Sequence, residues 1–272
     1  MSWTALRITP DRARERVIAA LFEAGSQGIQ EDGADIVTHF PPGTDTDGIA
    51  AAVRAVDPDA AIRMLNAPDV DFSGWRASVS SHVVGNLVIS PPWLAHETEP
   101  SRTVVIDPAM AFGTGEHPTT RGVMRLMQRT LRGGDVVADL GAGSAALAIA
   151  AARLGAARVA AVELDGEAIG NAEENVRANE VAGIVSVIEG DAEVLLPLLA
   201  PVDLVLANII SSVLTLLLPV IRGALAPGGR AILSGILAEE RDDMLGFIAT
   251  NDFVVRDEDM EDVWWSVTIS IP

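Results

Sequence analysis

The chain has 272 residues, 49% of them hydrophobic, and a formal net charge of −19, which suits one large or two modest folded domains and argues against disorder. Cysteine is absent, which excludes disulfides, thiol nucleophiles and thiolate metal sites; His39, His82, His96 and His117 show no metal-ligand spacing, so no metal is expected. All nineteen basic residues are arginine, and so acidic a chain suits a basic protein partner better than a nucleic-acid backbone. The first sixteen residues lack the apolar core of a secretory signal, and the best apolar run, 213–221, is short and holds Pro219. The expectation is a cytoplasmic protein with no membrane segment.

Residues 1–66 read as a small α+β domain. Residues 3–9 alternate like a strand, and 11–24 place Val17, Ile18, Leu21 and Phe22 at helical spacing before Gly25. Strands over 28–31 and 35–40 flank the hairpin signal Asp32-Gly33; a helix over 47–56 and a strand over 61–65 follow. This βαββαβ order is that of a ferredoxin-like sheet. It carries no catalytic pattern, so a docking role is the expectation. Residues 67–100 read as a linker, with a hinge at Asn66-Ala67-Pro68-Asp69 and one strand over 83–90.

Residues 101–272 read as a doubly wound α/β domain. The run DPAMAFGTGEHPTT, 107–120, crowds small and hydroxylated residues into an apolar context, as a ligand-covering loop does. Pro118 opens a helix whose apolar face is Val123, Leu126, Met127 and Leu131. A strand over 136–140 then meets Gly141-Ala142-Gly143, an alanine-rich helix to Leu154 and a strand over 159–164 carrying Glu163. Glycines let backbone N–H groups approach a ligand, and an acid at the next strand end suits ribose hydroxyls. Gly141, Gly143 and Ala146 fit a dinucleotide fingerprint, with Glu163 about twenty residues on. Asp139, just before the turn, suits a cationic ligand such as S-adenosylmethionine better than a pyrophosphate. Both cofactors stay open on the turn alone. Beyond Glu163 come a helix over 166–179, strands over 185–188 and 203–207, a helix over 211–225, a strand over 230–234 and a helix over 237–250. Two antiparallel strands, 253–256 and 264–271, close the chain. Asp139, Glu163, Asp191 and Asn208 all fall at carboxyl ends of strands, where such sheets bind ligands.

With DPAMAFGTGEHPTT, DLGAGSAALAIAA, AVELD, NVRAN at 175–179, LANII at 206–210 and LSGILAEE at 233–240, residues 69–272 resemble the ribosomal protein L-eleven (L11) methyltransferases. These are class I S-adenosylmethionine-dependent methyltransferases with a Rossmann-like sheet. The resemblance implies S-adenosylmethionine as cofactor and methyl transfer to amino groups of L11, on lysine side chains and the N-terminal amine. It also implies a small N-terminal domain that holds the substrate. Carried over residue by residue, it implies cofactor contacts at Thr120, Gly141, Glu163 and Asn208; the residue pattern itself adds Asp139, Gly143 and Asp191. Asn208 is also placed to position the attacking amine. Asp107 and Glu116 are candidates for steering a cationic amine inward.

Four positions depart from the family pattern: Ala109 for a glycine, Glu116 for a threonine, Ala145 for the third glycine of the turn, and Glu163 for an aspartate. Glu163 keeps the ribose-binding chemistry. Ala145 is tolerated if that residue is already helical. Another protein substrate, a small-molecule substrate, a nicotinamide dehydrogenase and a non-catalytic docking module are the alternatives; the acidic charge argues against an RNA substrate.

Overall fold

The computed structural model describes residues 4–26, 29–41, 43–65, 80–107 and 117–272. The hinge at 66–69, Ala109, Glu116 and most of the 107–120 loop lie outside the described residues, as do the first residues expected for the strands at 3 and 28. The chain divides into two compact units, Met1–Ser78 and Val79–Pro272.

In the first unit the strands are β1 (Thr4–Thr9), β2 (Ile29–Asp32), β3 (Asp35–Phe40) and β4 (Ala61–Leu65), with helices α1 (Arg14–Glu23) and α2 (Thr46–Val56). The sheet is antiparallel in the order β2-β3-β1-β4, the ferredoxin-like arrangement. Alternation along β1 and β3 turns Leu6, Ile8, Ile36 and Phe40 toward Val17 and Leu21 of α1 and Ile49 and Val53 of α2. Asp57, just past α2, accepts from the backbone N–H groups of Asp11 (2.9 Å), Arg12 (3.1 Å) and Ala13 (3.2 Å), tying the end of one helix to the segment that starts the other.

Part of the expected linker belongs to the second unit. His82–Val84 (β5) and Leu87–Ser90 (β6) form a hairpin, and β6 pairs in parallel with Thr103–Val105 (β7). The single strand expected over 83–90 is therefore two. Gly85, at φ 60°, makes a two-residue turn with Asn86 that an apolar count does not register. The Gln128 side chain closes over that turn, donating to the Val84 carbonyl (2.9 Å) and accepting from the Asn86 N–H (2.6 Å).

The principal sheet has seven strands: β8 (Val136–Leu140), β9 (Arg158–Glu163), β10 (Val185–Glu189), β11 (Val202–Asn208), β12 (Leu225–Leu237), β13 (Val254–Glu261) and β14 (Trp264–Ser270). Their order is β10-β9-β8-β11-β12-β14-β13; the first five are parallel, and β14 pairs antiparallel with both β12 and β13. The helices are α3 (Pro118–Thr130), α4 (Ala146–Arg153), α5 (Gly166–Ala178), α6 (Ala192–Leu199), α7 (Ser211–Ala224) and α8 (Arg241–Thr250). Val137, Leu204, Leu206 and Ile232 face α3, α4 and α5, together with Leu87, Ile89 and Val104 of the small sheet. Ala138, Leu140, Val205, Ala207 and Leu233 face α6, α7 and α8. Helices on both faces make the sheet doubly wound, with the strand order reversing between β8 and β11. The sequence reading leaves α6 unassigned, because its leucine-rich run has no polar stripe and contains Pro197; the Asp191 cap is what starts it.

Candidate functional site

The switch point between β8 and β11 places Gly141 beside the segment that leaves Asn208. Gly141 and Gly143 have φ of 66° and 51°, left-handed values that glycine adopts without steric cost. Ala145 has φ 64° and ψ 19° and forms the N-cap of α4. It is not helical, so the condition under which alanine replaces the usual glycine harmlessly is not met: a Cβ is held in left-handed backbone at the start of the helix. The N–H groups of the turn are used within the protein: Ala142 donates to the Val162 carbonyl (3.0 Å) and Ala145 to the Ala142 carbonyl (2.8 Å).

Glu163, half-buried at the end of β9, occupies this turn with its own carboxylate. One oxygen accepts from the Gly143 N–H (2.7 Å) and the other from the Asp165 N–H (2.9 Å). A carboxylate has about four acceptor positions, so capacity for two further donors remains. Asp139 lies one strand over, on the face that also holds Val137, and is 1% exposed. Neither of its oxygens has a hydrogen-bond partner. Burial raises its pKa to about 7; the Glu163 carboxylate pushes the same way, and the nearby Ala148 N–H, outside hydrogen-bond geometry, offsets only part of it.

Across the crevice, the Asn208 amide donates to the Thr120 hydroxyl (3.4 Å). Thr120 is buried in the first turn of α3, whose N-cap, His117, hydrogen-bonds through Nδ1 with the Thr119 hydroxyl (2.7 Å) and meets the Trp264 ring edge-on at 4.9 Å. Burial, with the nearby Arg121 charge, holds His117 below its ordinary pKa. Ile209 explains why three sequence motifs occur together. A Cβ on Gly141 would lie 3.0 Å from the Ile209 side chain, and one on Gly235, at φ 85°, would overlap the Ile209 carbonyl. The Ile209 N–H also bonds the Ser234 carbonyl (3.0 Å). DLGAG thus meets the side chain and SGIL the backbone of one residue of LANII, and Asn208 is held as its neighbour. Asp191 is exposed and caps α6 by accepting from the Glu193 N–H (2.8 Å).

Two sets of residues have structural parts that sequence reading did not assign. Asn175 and Asn179, one helical turn apart on α5 and nearly fully buried, clamp the chain entering the 107–120 loop. Asn179 brackets Val105 through its N–H (2.8 Å) and carbonyl (2.6 Å); Asn175 accepts from the Asp107 N–H (2.9 Å) and donates to the Ser144 carbonyl in the glycine turn (3.0 Å). On α3, Arg121, Arg125 and Arg129 pair with Glu261, Asp259 and Asp257 of β13 at 2.9, 2.9 and 2.7 Å. Four helical residues advance about 6 Å and two strand residues about 6.7 Å, so the two rows stay in step. The i, i+4 arginines and alternating acids are both visible in the sequence; their pairing is not.

A doubly wound sheet with a glycine turn at its switch point, an acid at the next strand end and an asparagine across the crevice defines a class I, Rossmann-like methyltransferase domain. The model of the family "Ribosomal protein L11 methyltransferase (PrmA)" matches residues 11–271. A protein of that name from Lacticaseibacillus paracasei is 32% identical, with 93% of each chain covered, and one from Thermus thermophilus is 34% identical, again with 93% of each covered. A crystal structure of ribosomal protein L11 methylase from Lactobacillus delbrueckii subsp. bulgaricus is 30% identical with a TM-score of 0.62, covering 71% of this chain and 99% of that one. The chain belongs to the ribosomal protein L11 methyltransferase family.

Proposed function

We propose that the protein transfers methyl groups from S-adenosylmethionine to amino groups of ribosomal protein L11, on lysine side chains and the N-terminal amine. The observation that carries this reading is the convergence of Gly141, Asn208 and Gly235 on Ile209, which brings the family's motifs to one edge of the sheet. The residues there fit the cofactor. Glu163 keeps acceptor capacity for ribose hydroxyls, Gly141 and Gly143 present backbone at close range, and the unpartnered Asp139 carboxyl behind the turn favours positive charge. Asp191, with one oxygen committed to its cap, offers the other at the same edge. When bound, S-adenosylmethionine supplies a methyl group on a sulfonium, already a good leaving group.

The protein's part is alignment and exclusion of water. Asn208, steadied by Thr120, presents its amide carbonyl to the attacking amine, and Thr120 lines the cofactor side. A lysine amine, with an ordinary pKa of about 10.4, must arrive at the methyl unprotonated. Asp107, exposed at the mouth of the loop, draws the cation in. The first unit docks the substrate protein, and the strongly acidic chain favours a basic one. Among the described residues no helix is long and apolar enough to cross a membrane; action in the cytoplasm, without direct nucleic-acid binding, completes the reading.

Purified protein incubated with methyl-labelled S-adenosylmethionine and unmodified L11 should label L11. Labelling of other ribosomal proteins in place of L11 overturns the substrate, and absence of any transfer together with S-adenosylmethionine binding points to a docking module.

A further inference from the structure

At the opposite edge of the principal sheet, where β12 begins and α3 ends, lies a cavity of about 610 Å³ whose charged lining is Arg129, Arg132, Arg230 and Arg256 with one carboxylate, Asp257, beside Thr268 and Ser270. Four arginines around one cavity are unusual in a chain of net charge −19. Two are neutralised: Arg129 by Asp257 (2.7 Å) and Arg230 by Asp135 (2.7 Å). Arg132 and Arg256 have no carboxylate partner among the described residues; Arg256 donates to the Ser270 hydroxyl (2.7 Å). Arg230 is 7% exposed, and its Nε and Nη1 donors have no hydrogen-bond partner. Both atoms are closed to solvent, so Arg230 contributes positive charge beside the cavity, and the exposed guanidiniums of Arg132 and Arg256 supply its donors.

We propose that this cavity binds a compact phosphate-bearing anion. The fork of a guanidinium matches phosphate oxygens in pairs, and the Thr268 hydroxyl lies beside it, while Ser270, which donates to the Ile271 carbonyl (2.9 Å), holds Arg256 in place. A small polyanion enters the cavity without lying along the acidic remainder of the surface, which an extended nucleic acid would have to do. The cavity sits at the beginning of the strands, with Arg230 level with Leu204 and Val137, whereas the glycine turn follows their ends. It is a second site, and it does not rest on the methyltransferase reading.

Pyrophosphate is the probe. Titrated calorimetrically into the full chain, it should bind, and should raise the melting temperature by mass action. The double substitution Arg132→Gln with Arg256→Gln removes the two unneutralised cations and should weaken pyrophosphate at least about tenfold, since charge-assisted hydrogen bonds are the stronger kind. Affinity for S-adenosylmethionine should not change, which also reports that the variant is folded; if the pair fails to fold, the exposed Arg132→Gln alone serves. The proposal is overturned by no pyrophosphate binding, by equal binding in a folded variant, or by a short single-stranded RNA that binds more tightly than pyrophosphate at the same ionic strength.

Discussion

Asp139 and Ala145 flank the glycine turn, and each is costly, one as an unpartnered buried carboxyl and the other as an alanine in left-handed backbone. Asp139 has a folded-state pKa of about 7, above its ordinary carboxylate value, so the native state binds its proton more tightly than the unfolded chain does. The stability this contributes is present in full below about pH 4 and is lost as pH rises toward 7. Asp139→Asn, which cannot ionise, should therefore melt higher than the parent at pH 8, with the gap closing as pH falls to about 4, in the absence of cofactor. Equal melting temperatures at pH 8 would show that the carboxyl is solvated in solution. Ala145 tests the turn differently. Left-handed backbone costs an alanine about 1–2 kcal/mol, so Ala145→Gly should raise stability by up to about 1 kcal/mol once glycine's freer unfolded state is counted. Denaturant melts decide it, and destabilisation would place Ala145 in ordinary helical backbone. Glu163 completes the set: charge-assisted bonds of about 1.5–3 kcal/mol mean that Glu163→Ala should weaken S-adenosylmethionine roughly tenfold or more, read by calorimetry on a folded variant.

The α5 asparagines do at the scale of elements what Ile209 does at the scale of contacts. Asn179 fills the backbone donor and acceptor of Val105, and Asn175 joins the Asp107 N–H to the Ser144 carbonyl, so one helix face sets where β7 ends relative to the glycine turn. Asn179→Ala leaves these backbone groups unpaired and should cost about 1–3 kcal/mol in denaturant unfolding; no change would mean that water replaces the amide at no cost. The strand–glycine–helix–strand unit over 136–165 was legible in the sequence because a short continuous apolar run there meets glycine directly and a second follows the alanine-rich helix, and no distant residue is needed to specify them. The β5–β6 hairpin was not, since its turn is closed by Gln128 from another element. Nor was the arginine ladder, whose partners lie more than a hundred residues apart, although it anchors α3 and with it His117 and Thr120. The motif NVRAN was visible as a pattern, but which backbone it bonds is a tertiary fact. At the site, the strand-end positions of Glu163 and Asn208 were readable from where the apolar runs stop, whereas the left-handed state of Ala145 depends on how α4 is entered.

For the whole molecule, the division into Met1–Ser78 and Val79–Pro272 puts every candidate site residue in the second unit. The first unit has its own buried core, built on Ile8, Val17, Leu21, Ile36 and Phe40, and its own electrostatic tie at Asp57. Burial opposes the charge on that carboxyl, but the N–H groups of Arg12, Ala13 and Asp11 outweigh it and hold the pKa below its ordinary value. Its contribution is therefore present at neutral pH and lost as pH falls through the carboxylate range. Such a unit can hold a substrate protein while the other reacts, and tethering presents successive amines at high effective concentration. A chain beginning at Val79 keeps Glu163, Gly141, Thr120 and Asn208, so it should bind S-adenosylmethionine with unchanged affinity. Transfer to intact L11 should fall by at least about tenfold, because the acceptor must then be captured by the second unit alone. A short lysine peptide, too small to engage the first unit, should be a poor substrate for both chains and to a similar degree. Labelled-methyl transfer measured on both acceptors separates binding from chemistry: loss on L11 alone supports docking by the first unit, and equal methylation of L11 by the shortened and full-length chains would show that residues before Val79 serve another purpose.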